Sequence, residues 1–212
     1  MNSNLESKLD SLSAPDYILQ NFEASDRIAV LVRSRKAGET IQRITTATNA
    51  ASQDFQAWLR HKNVSSDVYI GMNTLRHDAQ SRTKEDIETI RHLYLDIDRN
   101  GPSALEAVEA SGLVPRPNYV LETSPGKYQV VWKVEGIAQD QAEALQRAMV
   151  REFGGDPAAT DSRVLRLPEF VNRKYETEHV VRAQPGATQT YHLEDFRLRT
   201  DLHETPAPIS PA

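Results

Sequence analysis

Residues 91–100 read RHLYLDIDRN, an apolar run that ends in two aspartates spaced two residues apart. In a strand, successive side chains point to opposite faces. The run therefore has two faces, with Leu93, Leu95 and Ile97 on one and Tyr94, Asp96 and Asp98 on the other. The first set suits a hydrophobic core, so we expect the second set to face solvent or a cleft. The stretch predicts a central strand that carries two carboxylates out of a core.

The two aspartates, Asp96 and Asp98, repel each other unless a cation lies between them. They offer only oxygen ligands and the chain has no cysteine, a combination that favours Mg²⁺ or Mn²⁺. A carboxylate pair with open positions for substrate phosphates is what two-metal phosphoryl transfer requires. The alternative is a strand that runs into an acidic turn, because the Asp, Asn and Gly of residues 98–101 are common turn formers.

Length and composition restrict the class of protein. A chain of 212 residues is long enough for one domain with a substantial core. The lack of cysteine excludes a disulfide framework, a thiolate zinc site and a cysteine nucleophile. There is no signal-peptide core and no apolar run near the ~20 residues of a membrane helix, so we expect a cytoplasmic protein with no membrane contact. The net charge of −5 argues against nonspecific nucleic-acid binding, so any polynucleotide contact must be local.

The N-terminal half predicts a short docking helix, a hairpin, a longer helix and a strand. The helix starts at Ser13 with Pro15 in its first turn. Residues 27–34 and 39–46 read as the hairpin strands, and apolar residues every four positions predict a helix over residues 49–62. Residues 67–73 read as a third strand, and residues 75–84 as a loop that offers Arg76, Arg82 and Lys84.

A local basic excess lies between residues 24 and 63, where seven Lys and Arg face three acidic residues. The basic residues are Arg27, Arg33, Arg35, Lys36, Arg43, Arg60 and Lys62. Such an excess suits contact with a phosphate backbone, and a solvated face explains it equally well.

The C-terminal half predicts a helix, a hairpin and a second helix after the central strand. The first helix begins near Asn100 and ends at Gly112. In the hairpin of residues 118–133, Pro125 and Gly126 occupy the middle positions of a type II turn. Residues 139–153 form a strongly amphipathic helix. This βαββα order indicates an α+β fold in which helices cover one face of an antiparallel sheet, as in ferredoxin-like and RRM-like folds.

Polar groups are concentrated in two further places. The hairpin tip holds Ser124, Lys127 and Gln129, and residues 156–174, DPAATDSRVLRLPEFVNRK, surround Asp161 with basic side chains. If these groups converge with the central strand, carboxylates would hold metal and basic side chains would bind phosphate. The alternative is that Asp161 caps a helix or turn and its arginines form surface ion pairs. The sequence has no phosphate loop, dinucleotide fingerprint or paired-histidine metal motif.

Three blocks together resemble the RepB-like DNA primases of the archaeo-eukaryotic primase superfamily. LYLDID is similar to the superfamily's Asp-x-Asp strand, TSPGKYQVVWK to its second-motif hairpin, and DPAATDSRVLRLPEFVNRK to its segment with a third aspartate. The resemblance covers roughly residues 27–191. It implies an RRM-like catalytic core with an added N-terminal α/β unit. Residues 1–25 would form an N-terminal extension with the docking helix, residues 26–200 one catalytic domain, and residues 201–212 a proline-rich tail or linker.

Carried over by position, the resemblance implies that Asp96, Asp98 and Asp161 are the catalytic ligands of two divalent ions, Mg²⁺ or Mn²⁺. It also implies contacts with the incoming nucleotide, its triphosphate or the template from Ser124, Lys127, Gln129, Arg163, Arg166, Asn172, Arg173 and Lys174. Many superfamily members have His in the second motif where this chain has Gln129. An amide donates a hydrogen bond to phosphate but cannot act as an acid.

The implied function is that of a DNA primase, a metal-dependent nucleotidyltransferase that makes short primers on single-stranded DNA for a plasmid or other mobile element. Its partners would be the template, nucleoside triphosphates and a replicative helicase. One alternative is a non-catalytic RRM-like module that stacks single-stranded bases on rings, but Tyr94, Tyr128 and Trp132 alternate as core residues also do. Another is a replication-initiator nuclease that nicks with a tyrosine, and it requires a paired-histidine metal site that is absent.

Overall fold

The computed structural model describes residues 11–156 and 163–200, which contain two four-stranded antiparallel sheets and the helices packed on them. The elements of the N-terminal half are α1 (Ala14–Asn21), β1 (Arg27–Arg33), β2 (Thr40–Thr46), α2 (Ala47–Ala51), α3 (Gln53–Asn63), β3 (Asp67–Gly71), β4 (Thr74–Leu75) and β5 (Ile87–Thr89). Those of the C-terminal half are β6 (His92–Ile97), α4 (Gly101–Ala110), β7 (Tyr119–Ser124), β8 (Lys127–Lys133), α5 (Gln139–Phe153), β9 (Val164–Arg166), β10 (Val171–Asn172), β11 (His179–Val180) and β12 (Arg182–Pro185). The predicted α+β class is confirmed.

The N-terminal elements agree with the sequence pattern, with one difference. Ser13 caps α1 by accepting a hydrogen bond from the Asp16 backbone N–H, and β1 pairs with β2 as the predicted hairpin. The single helix predicted over residues 49–62 is instead two helices, α2 and α3. Ser52 between them has an extended backbone, and its hydroxyl accepts the Phe55 N–H. Because serine is a favoured N-cap, this residue starts a new helix where the apolar spacing alone predicts a continuous one.

The first sheet has the strand order β2-β1-β3-β9 and packs against α1, α2 and α3 in the first hydrophobic core. Its last strand comes from far along the chain, because β9 pairs antiparallel with β3. Strand β9 therefore joins the sheet of the N-terminal unit.

The second sheet has the order β12-β7-β8-β6, with all neighbours antiparallel. Helices α4 and α5 cover one face, where Leu93, Leu95 and Ile97 pack in the second hydrophobic core with Leu145 and Met149 of α5. This is the predicted RRM-like arrangement of helices on one face of an antiparallel sheet.

The opposite face of the second sheet is also covered over most of its length. Tyr94 is fully buried there and belongs to the first core, together with Tyr119, Leu121 and Val131. The expectation that Tyr94 faces solvent or a cleft is wrong, because the N-terminal unit packs on this face. The end of this face that carries Asp96 forms the wall of a cleft.

Two local features fix the ends of the second sheet around this cleft. Gly126, with φ of 70°, follows Pro125 in the turn between β7 and β8, as the type II signature predicts. Gly155 lies so close to β6 that a Cβ there would collide with the Leu95 side chain. The next residue, Asp156, donates its backbone N–H to the Asp96 carbonyl oxygen at 2.8 Å. The chain after α5 therefore passes directly beside Asp96.

No helix within residues 11–156 and 163–200 is both long enough and apolar enough to cross a bilayer.

Candidate active site

A polar cleft of about 430 Å³ opens between the two sheets. Most of the residues that the sequence singles out line it: Asp96, Asp98, Ser124, Lys127, Gln129, Arg163, Arg166, Asn172 and Lys174. Asp161 lies outside the described residues. Arg173 is described but does not line the cleft. The three sequence blocks that are distant in the chain thus meet at one place.

Asp96 lies at the end of β6 and is only 9% exposed. Its Oδ2 atom is 3.2 Å from Nη2 of Arg163. Burial raises the pKa of the Asp96 carboxyl, and the neighbouring Asp98 charge raises it further, although Arg163 acts in the opposite direction. Keeping this buried carboxylate ionised therefore costs free energy, and a nearby cation lowers that cost.

Asp98 lies just beyond β6, and its side chain is half exposed. Its Oδ1 atom is 3.2 Å from Nζ of Lys127 at the start of β8. Hydrogen bonds to the Tyr175 hydroxyl and to Asp98 raise the pKa of Lys127, so this ammonium stays charged. Each of the two predicted carboxylates therefore has a side-chain cation beside it.

A third carboxylate, Asp156, was not singled out by the sequence pattern. Its Oδ2 atom is 2.6 Å from Nη2 of Arg163, the same nitrogen that contacts Asp96. One guanidinium is thus shared by two carboxylates. Across residues 11–156 and 163–200, no three acidic, histidine or cysteine side chains are arranged to hold a metal ion.

Gln129 lies directly opposite Asp96 in the pairing of β6 with β8. Its Oε1 atom accepts the Arg166 backbone N–H at 3.0 Å. The Gln129 side chain also lowers the pKa of the Asp96 carboxyl, against the larger effect of burial. Gln129 thus lies between the carboxylate on β6 and the backbone of β9.

The Arg166 guanidinium is held by Asp67, a fully buried residue at the start of β3. The Oδ1 atom of Asp67 is 2.7 Å from Nη1 of Arg166, and its Oδ2 is 2.9 Å from Nε of Arg35. Burial alone would raise the pKa of Asp67, but the hydrogen bond and charge of Arg166 hold it below its ordinary value. Asp67 therefore orients two arginines that line the cleft.

Residues 172–174 illustrate how neighbouring polar residues differ in placement. The buried Asn172 donates from Nδ2 to the Thr123 carbonyl and accepts the Lys174 N–H, which braces the hairpin tip. Arg173 points away from the cleft. Its Nε donates to the Asn63 carbonyl at 2.8 Å and its Nη1 pairs with Glu178.

Comparison with known proteins identifies the family of the chain. The family model described as the RepB DNA-primase N-terminal domain matches residues 35–195, more than half of the chain. The chain belongs to the RepB DNA-primase family. The family suggested by the three sequence blocks is therefore confirmed.

Solved structures with the same fold include two of a RepB primase relative. Primase RepB′ is 26% identical with a TM-score of 0.63, and the matched region covers 84% of this chain and 58% of that one. The catalytic domain of RepB′, solved in complex with initiator DNA, is 26% identical with a TM-score of 0.62, covering 84% and 87%. The AEP domain of the cyanophage S-2L primase-polymerase has the same fold at 17% identity, with a TM-score of 0.61 and coverage of 84% and 90%. A search of curated proteins gives no significant match.

The cleft of this RepB primase domain also contains arginines that sequence reasoning did not assign to the site. Arg33, Arg35 and Arg82 line it. The signal for the first two is the basic excess of residues 24–63, but that excess does not act as one surface. Arg43 instead lies over the Trp58 ring at 3.9 Å, and Arg60 pairs with Glu169.

Tyr175 is a further cleft residue that the sequence did not single out. The residue is 39% exposed, and the ammonium groups of Lys127 and Lys174 lie 5.7 Å and 5.6 Å from the centroid of its ring. Hydrogen bonding to Lys127, with a smaller contribution from Ser124, lowers the pKa of the Tyr175 hydroxyl. In this primase domain, the cleft mouth thus carries an aromatic face fixed beside two cations.

Proposed function

We propose that this chain is the catalytic domain of a DNA primase that joins nucleoside triphosphates into short primers on a single-stranded DNA template. The observation that carries the proposal is that carboxylates and basic side chains line one cleft. Asp96 and Asp98 lie at the end of β6, with Arg163 and Lys127 beside them. Arg33, Arg35 and Arg166 form an arginine wall at the strands of the first sheet. Acids beside a dense group of cations are what metal-assisted phosphoryl transfer uses.

The carboxylates fit two divalent cations, Mg²⁺ or Mn²⁺. Asp96 and Asp98 present only oxygen atoms to the cleft, and each is already paired with a positive side chain. Asp161, predicted as the third ligand, would complete the set. The chemistry that such ions supply is activation of the attacking hydroxyl and neutralisation of triphosphate charge.

The protein's own side chains would bind and orient the nucleotide. Lys127, Arg163 and Arg166 would contact the triphosphate, because all three are cations on the cleft wall. The Tyr175 ring would stack on a base, an interaction worth about 1–3 kcal/mol per base in single-strand-binding proteins. Gln129 would keep the Asp96 carboxylate in a fixed orientation.

The alternative of a non-catalytic RRM-like module is disfavoured by what covers its sheet. Such modules stack bases on rings of the exposed sheet face. Here Tyr94 is buried in the first core, Trp132 is buried in the second, and Tyr128 packs against the second. The place for bases on that face is occupied by the N-terminal unit.

The template would belong to a plasmid or other mobile element, and a replicative helicase would be a further partner. The relative solved with initiator DNA, the RepB′ catalytic domain, supports the DNA template and not the plasmid or the helicase. The chain spans 58% of the length of primase RepB′.

Primer synthesis tests the proposal directly. The protein is incubated with single-stranded DNA, labelled nucleotides and Mg²⁺ or Mn²⁺, and the products are separated on a denaturing gel. We expect short labelled products from the wild type and from Asp54→Asn, which changes an exposed carboxylate on α3. We expect none from Asp98→Asn. Equal synthesis by Asp98→Asn and the wild type would refute the assignment.

A further inference from the structure

We propose that Arg163 and Lys127 act as counter-ions that hold the carboxylates of the metal-free site and pass to the triphosphate when a divalent cation binds. This inference rests on the proposed function, because it concerns the same site. It assigns the two side chains a second role, as competitors of the metal.

The ion pairs that support this role are specific. Nη2 of Arg163 lies 3.2 Å from Asp96 and 2.6 Å from Asp156, and Nζ of Lys127 lies 3.2 Å from Asp98. Both predicted carboxylates therefore have an oxygen in contact with a cation. A metal ion that binds these oxygens must first displace the side chains or share the carboxylates with them.

The first divalent ion carries the same charge as the two side chains. Arg163 and Lys127 together supply two positive charges beside Asp96 and Asp98. One ion between these carboxylates keeps a positive charge beside each of them, whereas Asp156 loses its contact if the Arg163 guanidinium moves. The two released side chains then carry two positive charges into a cleft that they already line. A triphosphate is the ligand whose charge and oxygen geometry match a guanidinium and an ammonium.

The exchange couples metal and nucleotide binding. Without triphosphate, the ion pairs oppose the metal, so metal affinity is low. A triphosphate that takes up Arg163 and Lys127 removes this competition, and the linkage is reciprocal. The metal ion alone and the triphosphate alone then bind weakly, whereas the two together bind tightly.

Mn²⁺ affinity without nucleotide tests the exchange, with free Mn²⁺ measured by electron paramagnetic resonance at fixed pH and salt. We expect Arg163→Gln to bind Mn²⁺ about tenfold more tightly than the wild type, a factor that corresponds to ~1.4 kcal/mol. We expect the same variant to bind inorganic triphosphate more weakly in the absence of metal. A residue with a purely structural role would weaken both ligands, so the opposite signs identify the counter-ion.

Arg33→Gln is the matched control. Arg33 lines the same cleft, but it forms no ion pair with any residue in the described ranges. Its loss removes the same charge without freeing a carboxylate, so we expect a change in Mn²⁺ affinity well below tenfold. Arg163→Lys keeps the charge with poorer geometry and should give an intermediate affinity. It provides the test if Arg163→Gln does not fold.

The outcomes separate this inference from the proposed function. Absence of Mn²⁺ binding by the wild type, or an unchanged affinity in Asp96→Asn, would refute the metal site itself. Mn²⁺ binding that depends on Asp96 but is not tightened by Arg163→Gln would overturn the counter-ion role alone. Equal tightening by Arg33→Gln and Arg163→Gln would overturn it as well, because general cleft charge would then explain the effect.

Discussion

Replacing Asp67 by asparagine tests how the arginine wall of the cleft is held. Asp67 is fully buried, and its carboxylate contacts Arg166 at 2.7 Å, Arg35 at 2.9 Å and the Arg173 backbone N–H at 2.7 Å. The Arg166 side chain is only 8% exposed, so it cannot recover hydration when its partner becomes neutral. Removal of one partner from such a buried pair costs about 3–5 kcal/mol.

The Arg35 pair adds little to that figure. Its side chain is 41% exposed, and ion pairs of this kind contribute about 0–1 kcal/mol. We therefore expect Asp67→Asn to lower the free energy of unfolding by about 3–5 kcal/mol, and Arg35→Gln by at most about 1 kcal/mol. For a domain near this size, each 1 kcal/mol shifts the melting temperature by about 2–4 °C. Asp67→Asn should therefore melt roughly 10 °C below the wild type.

The pH dependence gives a second measurement. The folded-state pKa of Asp67 is lowered from 3.8, so its ionised form is favoured by folding. The stability it contributes is present above the unfolded pKa and is lost as the pH falls through the lower folded pKa. Urea unfolding at pH 7 and at acidic pH should show a difference between wild type and Asp67→Asn that shrinks below pH 3.8. An Asp67→Asn protein as stable as the wild type at pH 7, or one matched by Arg35→Gln, would refute the reasoning.

Three further variants separate roles within the cleft. Asp96→Asn should abolish primer synthesis and leave stability unchanged or raised. Burial raises the pKa of this carboxyl, so the folded protein disfavours its charge. The primer assay measures the synthesis, and thermal melts measure the stability. Tyr175→Leu should raise the nucleotide KM about tenfold, because the aromatic ring that would stack on a base is lost. Tyr175→Phe keeps the ring, so its KM should stay within about threefold of the wild-type value. Equal KM values for the two variants would show that Tyr175 does not stack on a base. Arg173→Ala should lower the free energy of unfolding by about 1–2 kcal/mol, because the Asn63 carbonyl loses a charged donor. The nucleotide KM of this variant should be unchanged. A large increase in KM would show that Arg173 contacts the nucleotide.

The sequence predicts helices and strands well where their apolar spacing and end signals lie within the element itself. Helix α5 spans Gln139–Phe153 as its apolar spacing predicts, and Gly154 in the left-handed conformation ends it. Burial of Tyr94 was not predictable in the same way. Whether the second face of a strand is covered depends on another unit packing onto it, and no pattern within residues 91–100 contains that information.

The candidate site also depends on contacts between residues that are far apart in the sequence. Asp96, Gln129 and Arg166 were predicted from three blocks, and the pairing of β6 with β8 and of β3 with β9 brings those blocks together. Arg166 and Arg173 belong to the same sequence block but differ in placement. Arg166 points toward Asp67, which lies 99 residues earlier in the chain, whereas Arg173 is held by α3 and Glu178. Such partners are set by tertiary packing, and a local pattern of basic residues does not distinguish them.

The late position of β9 in the chain has a consequence for biosynthesis. During translation Asp96 is made 67 residues before Arg163, and Asp67 is made 99 residues before Arg166. A nascent chain that has completed β6 and β8 contains Asp96, Asp98 and Lys127 but lacks Arg163 and Arg166, and closing loops of this length is slow relative to forming local helices. A chain that terminates at this point therefore lacks two of the three side chains that we propose contact the triphosphate. The proposed triphosphate site is complete only after residue 166 has been added.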